Sequence, residues 1–482
     1  MNYKIVRYVL GWIILVFGLL MIPSIIVALI YREGWQGIYP FLIPMLISVA
    51  SGFLLTRKRP DNKDFYMREG FVVVALAWLL ISLLGALPFI ISGFIPALAD
   101  AFFEAASGFT TTGSSVLGQP ELLPNSQLFW RSFTHLIGGM GILVFVLAVM
   151  PSIESDNAFV MKAEVPGPIF GKLQAKVRNT ARVLYLMYFG LTFVLIVLLV
   201  LGGMPIFDSI LHAFGAAGTG GFGTKSNSVA FYDSFYLYYV LAFGMLIFAG
   251  NFSLYYALFS RKFKAVFRSE ELRWYLSIIS LAVMLIMLNT REVYDNFFVQ
   301  LRDVFFTVTS IISTTGFTVT DHNAWPLFSH IILLGLMFVG GMAGSTAGGL
   351  KVSRIVIYVK SSIAELRSSL NPNRRMAVTF EGKTMSPQLK NQVGNYLSIY
   401  ILVFVVLLLL VSLNAPNFLT AFSAVAATFN NIGPGFDLVG PTGNFGGMSV
   451  LSKVTLSIGM IMGRLEIIPI MVLFSPRTWK RT

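Results

Sequence analysis

Apolar residues run along this chain in long, nearly unbroken stretches, at about 9–30, 37–55, 70–92, 128–150, 183–203, 235–259, 273–289, 328–343, 395–413 and 450–474. Each approaches the roughly 20 residues that carry a helix across about 30 Å of hydrocarbon. The pattern predicts ten transmembrane helices. Membrane strands are excluded because the runs are too long and do not alternate. Lys4 and Arg7 precede the first run as in a secretory signal. That run exceeds 20 residues and no small-residue cleavage site follows, so it reads as a retained first helix.

Between the spans lie four segments too apolar for ordinary loops and too short to cross: DAFFEAASGFTTTG (100–113), DSILHAFGAAGTGG (208–221), DVFFTVTSIISTTG (303–316) and TAFSAVAATFNNIG (420–433). They align without gaps. Each opens on an expected N-cap residue, Asp100, Asp208, Asp303 or Thr420. About ten helix-compatible residues follow, roughly 15 Å or half a membrane. Each closes on a glycine: Gly113, Gly221, Gly316 or Gly433. Those glycines are 108, 95 and 117 residues apart, so a unit of helix, half-helix and helix repeats four times.

A half-helix that stops inside a bilayer is tolerated only where protein buries it or water lines it. Its C-terminal end carries about −0.5 of a charge, so four such ends on one axis favour a cation without any acidic side chain. The closing residues are Thr110, Thr111, Thr112 and Gly113, then Thr219, Gly220 and Gly221, then Thr314, Thr315 and Gly316, and last Asn431, Ile432 and Gly433. Glycine permits dihedrals that turn carbonyls toward the axis, where they replace an ion's hydration shell. The capping acids and Glu104, one turn into the first half-helix, read as structural or vestibule groups rather than permanent ligands.

The stretch 328–359 is unusual in carrying Gly340, Gly341, Gly344, Gly348 and Gly349, with Ser345 and Thr346 among them and Lys351 just beyond. Glycine costs about 1 kcal/mol in a helix interior relative to alanine, which predicts a break at membrane depth. Close helix packing through Gly340, Gly344 and Gly348 is the competing account. Arg464 lies deep in the final span, where an arginine costs about 2.5–3.5 kcal/mol and must find water or a partner. Glu466 points to another helical face, leaving carbonyls of 340–349 as the better candidates.

Composition agrees with a bilayer environment: 56% of the 482 residues are apolar and 12% are charged. With both termini cytoplasmic, the inner segments 1–8, 56–69, 151–182, 260–273, 351–391 and 475–482 hold 28 of the 35 Lys and Arg residues. Topology therefore accounts for the net charge of +13, and no nucleic-acid partner is implied. The outer segments carry Glu33, Glu121, Asp233, Glu292, Asp295, Asp321 and Asp437, which concentrate cations modestly. There is no cysteine, the four histidines form no i, i+4 pair, and no nucleophile–base set stands out, so no enzyme is expected. Gly218, Gly220 and Gly223 match a dinucleotide fingerprint, but no strand precedes them. Gly344 and Gly349 nearly match a phosphate loop, but Leu350 stands where lysine is required.

Together with SGFTTTGSSV, GGMGI (138–142), AEVPGP (163–168), ISTTGF, GGMAGSTAGGLKVSR (340–354), AFSAVAATFNNIGPG (421–435) and GRLE (463–466), these segments make the chain resemble the Trk/Ktr/HKT potassium transporter superfamily, in its Trk membrane subunit (TrkH/TrkG) branch. The resemblance implies an all-α polytopic membrane protein of ten transmembrane helices and four re-entrant pore half-helices, arranged as four pseudo-symmetric repeats around a central pore. Residues 1–69 form two extra N-terminal helices, and 70–182, 183–271, 272–391 and 392–482 form the repeats, the third with a broken second helix. It implies potassium uptake across a bacterial inner membrane, with K⁺ as the transported ion and no organic cofactor. The closing residues named above form the selectivity filter, and Gly113, where a serine is associated with sodium permeability, implies potassium preference. Gly340, Gly341, Gly344, Ser345, Thr346, Gly348, Gly349, Lys351 and Arg464 form the gate. It further implies a homodimer and a cytosolic nucleotide-binding regulatory ring of the TrkA type docked below, with symport an allowed mode. An ion-coupled secondary transporter of a small solute is the alternative reading.

Overall fold

Hydrocarbon offers no hydrogen bonds, so a chain this apolar must satisfy its backbone within helices. The computed structural model describes residues 1–58, 60, 66–141, 177–371 and 377–479, and these are helical apart from loops and one short hairpin, Thr379–Phe380 against Lys383–Thr384. The second half of the expected span 128–150, the AEVPGP stretch and most of the loop 151–182 lie outside the described residues. Among the described residues six helices are long and apolar enough to cross a membrane: Tyr3–Ile30, Gly34–Thr56, Met67–Ser92, Arg182–Leu201, Glu270–Asn289 and Pro387–Ser412. Large apolar side chains such as Leu186, Phe193, Leu402 and Leu409 stand exposed on their outer faces, as lipid contact requires. The chain is a multi-pass membrane protein.

The first two helices pack tightly because Gly11, Gly18 and Gly52 remove side chains from their contact; a Cβ on Gly52 would sit 2.7 Å from the Gly11 carbonyl and from Leu15. The rest repeats. A long helix leads to a short one, Leu98–Phe109, Ile206–Gly218, Phe297–Ile312 or Phe418–Phe429, and then to a second helix. Those second helices are Asn125–Gly139, Phe235–Phe248, Leu327–Val339 and Val450–Leu465. Each packs on the short helix of the following unit, the fourth on that of the first, which closes the arrangement into a ring.

Two expectations need correction. The short helices start before the residues expected to cap them: Ala97, Pro205, Asn296 and Asn417 occupy the N-cap positions. Asp100, Asp208 and Thr420 lie in the first turn, and Asp303 lies deeper still. Acids in the first turn still face the positive helix end, which is why the sequence pattern resembles a cap. The second correction concerns the stretches 235–259 and 450–474, which are not straight. The first bends by 95° between Phe248 and Phe252, and the second breaks at Glu466 with φ +62°. The expected break in 328–359 is present: the chain leaves its helix after Val339 and resumes it at Val352.

Replacing Gly52 with leucine forces apart the first two helices and is expected to cost about 1–3 kcal/mol. A thermal midpoint in detergent equal to that of the wild type rejects this account of their packing.

Candidate functional site

All four short helices end in the same hydrogen-bonded turn. The N–H groups of Thr112, Gly220, Thr315 and Ile432 reach back to the carbonyls of Ser107, Gly215, Ser310 and Ala427 at 2.8, 2.8, 3.0 and 2.8 Å. Those of Thr111, Thr219, Thr314 and Asn431 bond Gly108, Ala216, Ile311 and Thr428 at 3.0–3.1 Å. This is the Schellman cap, which needs a left-handed residue at its turn. Glycine usually supplies it, yet here φ is +54° at Thr111, +56° at Thr219, +57° at Thr314 and +56° at Asn431. A β-branched residue there is an outlier costing on the order of 1–3 kcal/mol, a burden that surrounding contacts must hold.

Two residues on, Gly113, Gly221, Gly316 and Gly433 also have positive φ, while the residues between do not. Backbone hand therefore alternates through each triplet, which brings successive carbonyls toward one side instead of opposite sides. A Cβ on Gly113 would overlap the Gly220 carbonyl, one on Gly221 that of Thr315, and one on Gly316 that of Ile432; on Gly433 it would lie 2.9 Å from the Thr112 carbonyl. First meets second, second third, third fourth, and fourth first. The four triplets thus enclose one axis. All four glycines line a single outward-opening cleft with Ser114, Ser115, Gly223 and Arg131.

Side chains behind the triplets form a dense polar layer. The Thr110 and Thr112 hydroxyls are 2.7 Å apart, and those of Ser313 and Thr315 2.8 Å. Asn431 donates to the Thr112 hydroxyl at 2.9 Å and to the Met460 carbonyl at 3.0 Å, and Thr219 donates to the Gly218 carbonyl at 2.6 Å. Glu104 is a packing residue: it pairs with buried Arg131 at 2.8 Å and accepts from Ser115 and the Val116 amide. Asp100 pairs with Lys453 at 2.7 Å. On the outer surface, hydrogen bonds from the Thr420 hydroxyl and the Asn417 amide hold the Asp437 carboxyl below its usual pKa. Among the described residues no cluster of His, Cys, Asp or Glu could hold a metal ion.

The 340–351 loop lies on the opposite side from the cleft. Its Gly348 amide donates to the Thr314 hydroxyl at 2.7 Å, and a Cβ on Gly348 would strike the Asn430 carbonyl. Gly340, Gly344, Gly349 and Lys351 all have positive φ, and the Lys351 ammonium bonds the Ala347 carbonyl. Ser345 donates to Met342 at 2.6 Å, Val352 to the Gly341 carbonyl at 3.0 Å, and Thr346 to Phe248 in the break of the second unit at 3.0 Å. Arg464 donates to the Thr346 carbonyl at 2.5 Å and to those of Gly138 and Gly139 at 2.7 and 2.6 Å. The loop carbonyl expected from the sequence is therefore one of its partners, and Glu466 pairs instead with Arg354 at 2.6 Å.

Three residues here escaped the sequence reading. Buried Glu271 accepts from the Ala343 and Ser353 amides at 2.7 and 3.1 Å and so holds both ends of the loop. In sequence it sits at the start of an apolar run and resembles an interfacial acid. Arg131 and His135 fall inside an apolar run, and only their four-residue spacing on one helix face hinted at a shared role.

A predominantly helical membrane chain whose four units meet around one cleft has the architecture of a transport protein. The family model described as "TrkH: Cation transport protein" matches residues 41–481, and the chain belongs to that family. This is a family of transporters, not of enzymes. The chain is 36% identical over 487 residues to the Trk system potassium uptake protein TrkH of Salmonella typhimurium, covering all of both chains. It is 32% identical to the protein TrkG of Escherichia coli over 99% of both. The crystal structure of the potassium transporter TrkH from Vibrio parahaemolyticus superposes with a TM-score of 0.89 at 32% identity, again covering both chains fully.

Glu271→Ala leaves two amides without an acceptor and is expected to destabilise by about 1–3 kcal/mol for each. Glu271→Gln keeps the accepting oxygen and most of the stability. Equal thermal midpoints for the two variants contradict this role.

Proposed function

We propose that this chain is the potassium-conducting membrane subunit of a Trk-type uptake system in a bacterial inner membrane. In this reading it has ten spans and four re-entrant half-helices, with both termini cytoplasmic. Residues 1–69 precede four repeats at 70–182, 183–271, 272–391 and 392–482. The closed cycle of carbonyls against the four glycines carries the proposal, because it encloses one axis with backbone oxygens at four helix C-termini. Each end contributes about −0.5 of a charge, so a bare cation is stabilised there without a carboxylate. The triplets and Thr110 form the filter. Full-length likeness to proteins named for potassium uptake supports the choice of ion.

The 340–349 loop, Lys351 and Arg464 form the gate. Arg464 places a fixed positive charge on the inner side of the filter, and its grip on the Thr346 carbonyl keeps the loop there. Opening withdraws the loop and exposes the axis. The subunit pairs as a homodimer, and a cytosolic nucleotide-binding ring of the TrkA type supplies the regulating force through the basic inner loops, 151–182 among them.

Flux into proteoliposomes tests this directly. Gly113→Ser is expected to raise sodium entry relative to rubidium about tenfold, equivalent to about 1.4 kcal/mol. Arg464→Ala is expected to raise resting rubidium flux several-fold without changing that ratio. A purified chain that passes no alkali cation with or without its regulatory partner, or a Gly113→Ser protein with wild-type ion preference, defeats the proposal.

A further inference from the structure

The second triplet departs from the first and third: its middle residue is Gly220 where they carry Thr112 and Thr315. Those threonines brace their segments through the hydroxyl pairs with Thr110 and Ser313. Gly220 has no such group, and its φ is not positive, so the backbone itself does not demand glycine. The space is taken. A Cβ on Gly220 would collide with the His135 imidazole at Cγ, Nδ1 and Cε1, whereas the equivalent position in the first segment holds the Thr112 side chain.

His135 is fully buried, on the second helix of the first unit, one turn beyond Arg131. Its Nδ1 lies 2.8 Å from the Gly108 carbonyl, and its Nε2 accepts the Phe222 amide at 3.2 Å. An acceptor at Nε2 puts the proton on Nδ1, which therefore donates to Gly108. One neutral ring thus joins the C-terminal turn of the first short helix to the residue following the second glycine. It also packs against Phe222, with the ring centroids 4.3 Å apart and the planes tilted by 36°. Arg131 forms a parallel rung one turn outward, bonding Glu104 of the first short helix and the Gly223 carbonyl at 3.3 Å.

We infer that His135 is a positioning residue for ion selectivity: its imidazole replaces the missing Thr side chain of the second triplet and fixes that triplet's spacing to the first. The inference rests on the filter reading above. A single slack segment widens the ring on one side and lets its carbonyls close on a smaller ion, so the loss appears as poorer discrimination before it appears as unfolding.

The test is the rubidium-to-sodium flux ratio in proteoliposomes, for detergent-purified protein whose thermal midpoint is recorded in parallel. His135→Phe keeps an aromatic ring in the space and removes both hydrogen bonds. It is expected to lower the ratio at least about fivefold, the factor carried by about 1 kcal/mol. Gly220→Thr alone drives the new side chain into the imidazole and impairs flux or selectivity. Adding His135→Ala to it frees the space for a hydroxyl of the first- and third-segment kind, so the double variant is expected to recover ratio and yield over Gly220→Thr. If His135→Phe does not fold, the comparison of Gly220→Thr with the double variant decides alone. A wild-type ratio in His135→Phe, or a double variant worse than Gly220→Thr, overturns the inference when Gly113→Ser still lowers the ratio. If Gly113→Ser also leaves the ratio unchanged, the filter reading itself has failed.

Discussion

The whole arrangement depends on one contact made four times: a backbone carbonyl of one segment resting where the glycine of its neighbour lacks a Cβ. That contact requires each short helix to end two residues earlier in a left-handed turn, occupied by Thr111, Thr219, Thr314 or Asn431 instead of glycine. Glycine there would relieve strain, but it would also give up the bonds of Thr314 to Gly348 and of Asn431 to Thr112 and Met460. Strain of about 1–3 kcal/mol per site persists only where neighbours over-determine the conformation. At Thr219, Thr314 and Asn431, side-chain hydrogen bonds in the buried polar layer behind the triplets supply part of that over-determination.

Much of this was readable from the residues. The four gapless segments, the closing glycines and the break at 340–349 are local signals, written in spacing and in residues of special backbone freedom. Helix starts were misplaced because an acid in the first turn and an acid at the cap answer the same helix dipole. The breaks at Ala249–Asn251 and at Glu466 were passed over because long apolar runs flank both, although Gly250 and Asn251 are turn-forming residues and Glu466 is charged. Glu271, Arg131 and His135 were hidden for a different reason. Their partners are backbone groups and side chains far along the chain, and no single window of sequence contains both halves of such a contact.

The breaks share a logic that composition conceals. The second helices run 15, 14, 13 and 16 residues before the chain turns, so all four are of similar length. Gly138 packs on the Phe109 carbonyl, Gly463 on that of Phe429, and Gly348 on that of Asn430, so small residues near these breaks let one backbone lie against the end of a short helix. A straight helix with ordinary side chains would hold the short helices apart. The ring is thus set from behind by close backbone approach, as it is set within by the glycines.

Arg464 joins these breaks electrically. Its guanidinium bonds carbonyls released by the end of the first unit's second helix and by the loop in the third, while it sits on the second helix of the fourth. A charge buried this deeply needs several such acceptors to offset its lost hydration. Under the proposed function the significance goes further, because carbonyl oxygens are also the ligands a dehydrated alkali cation requires. Arg464 and a permeating ion therefore compete for one kind of group on one axis. In that reading the arginine would block both by repulsion and by occupying oxygens, and only a movement that gives it other acceptors would remove both obstacles together.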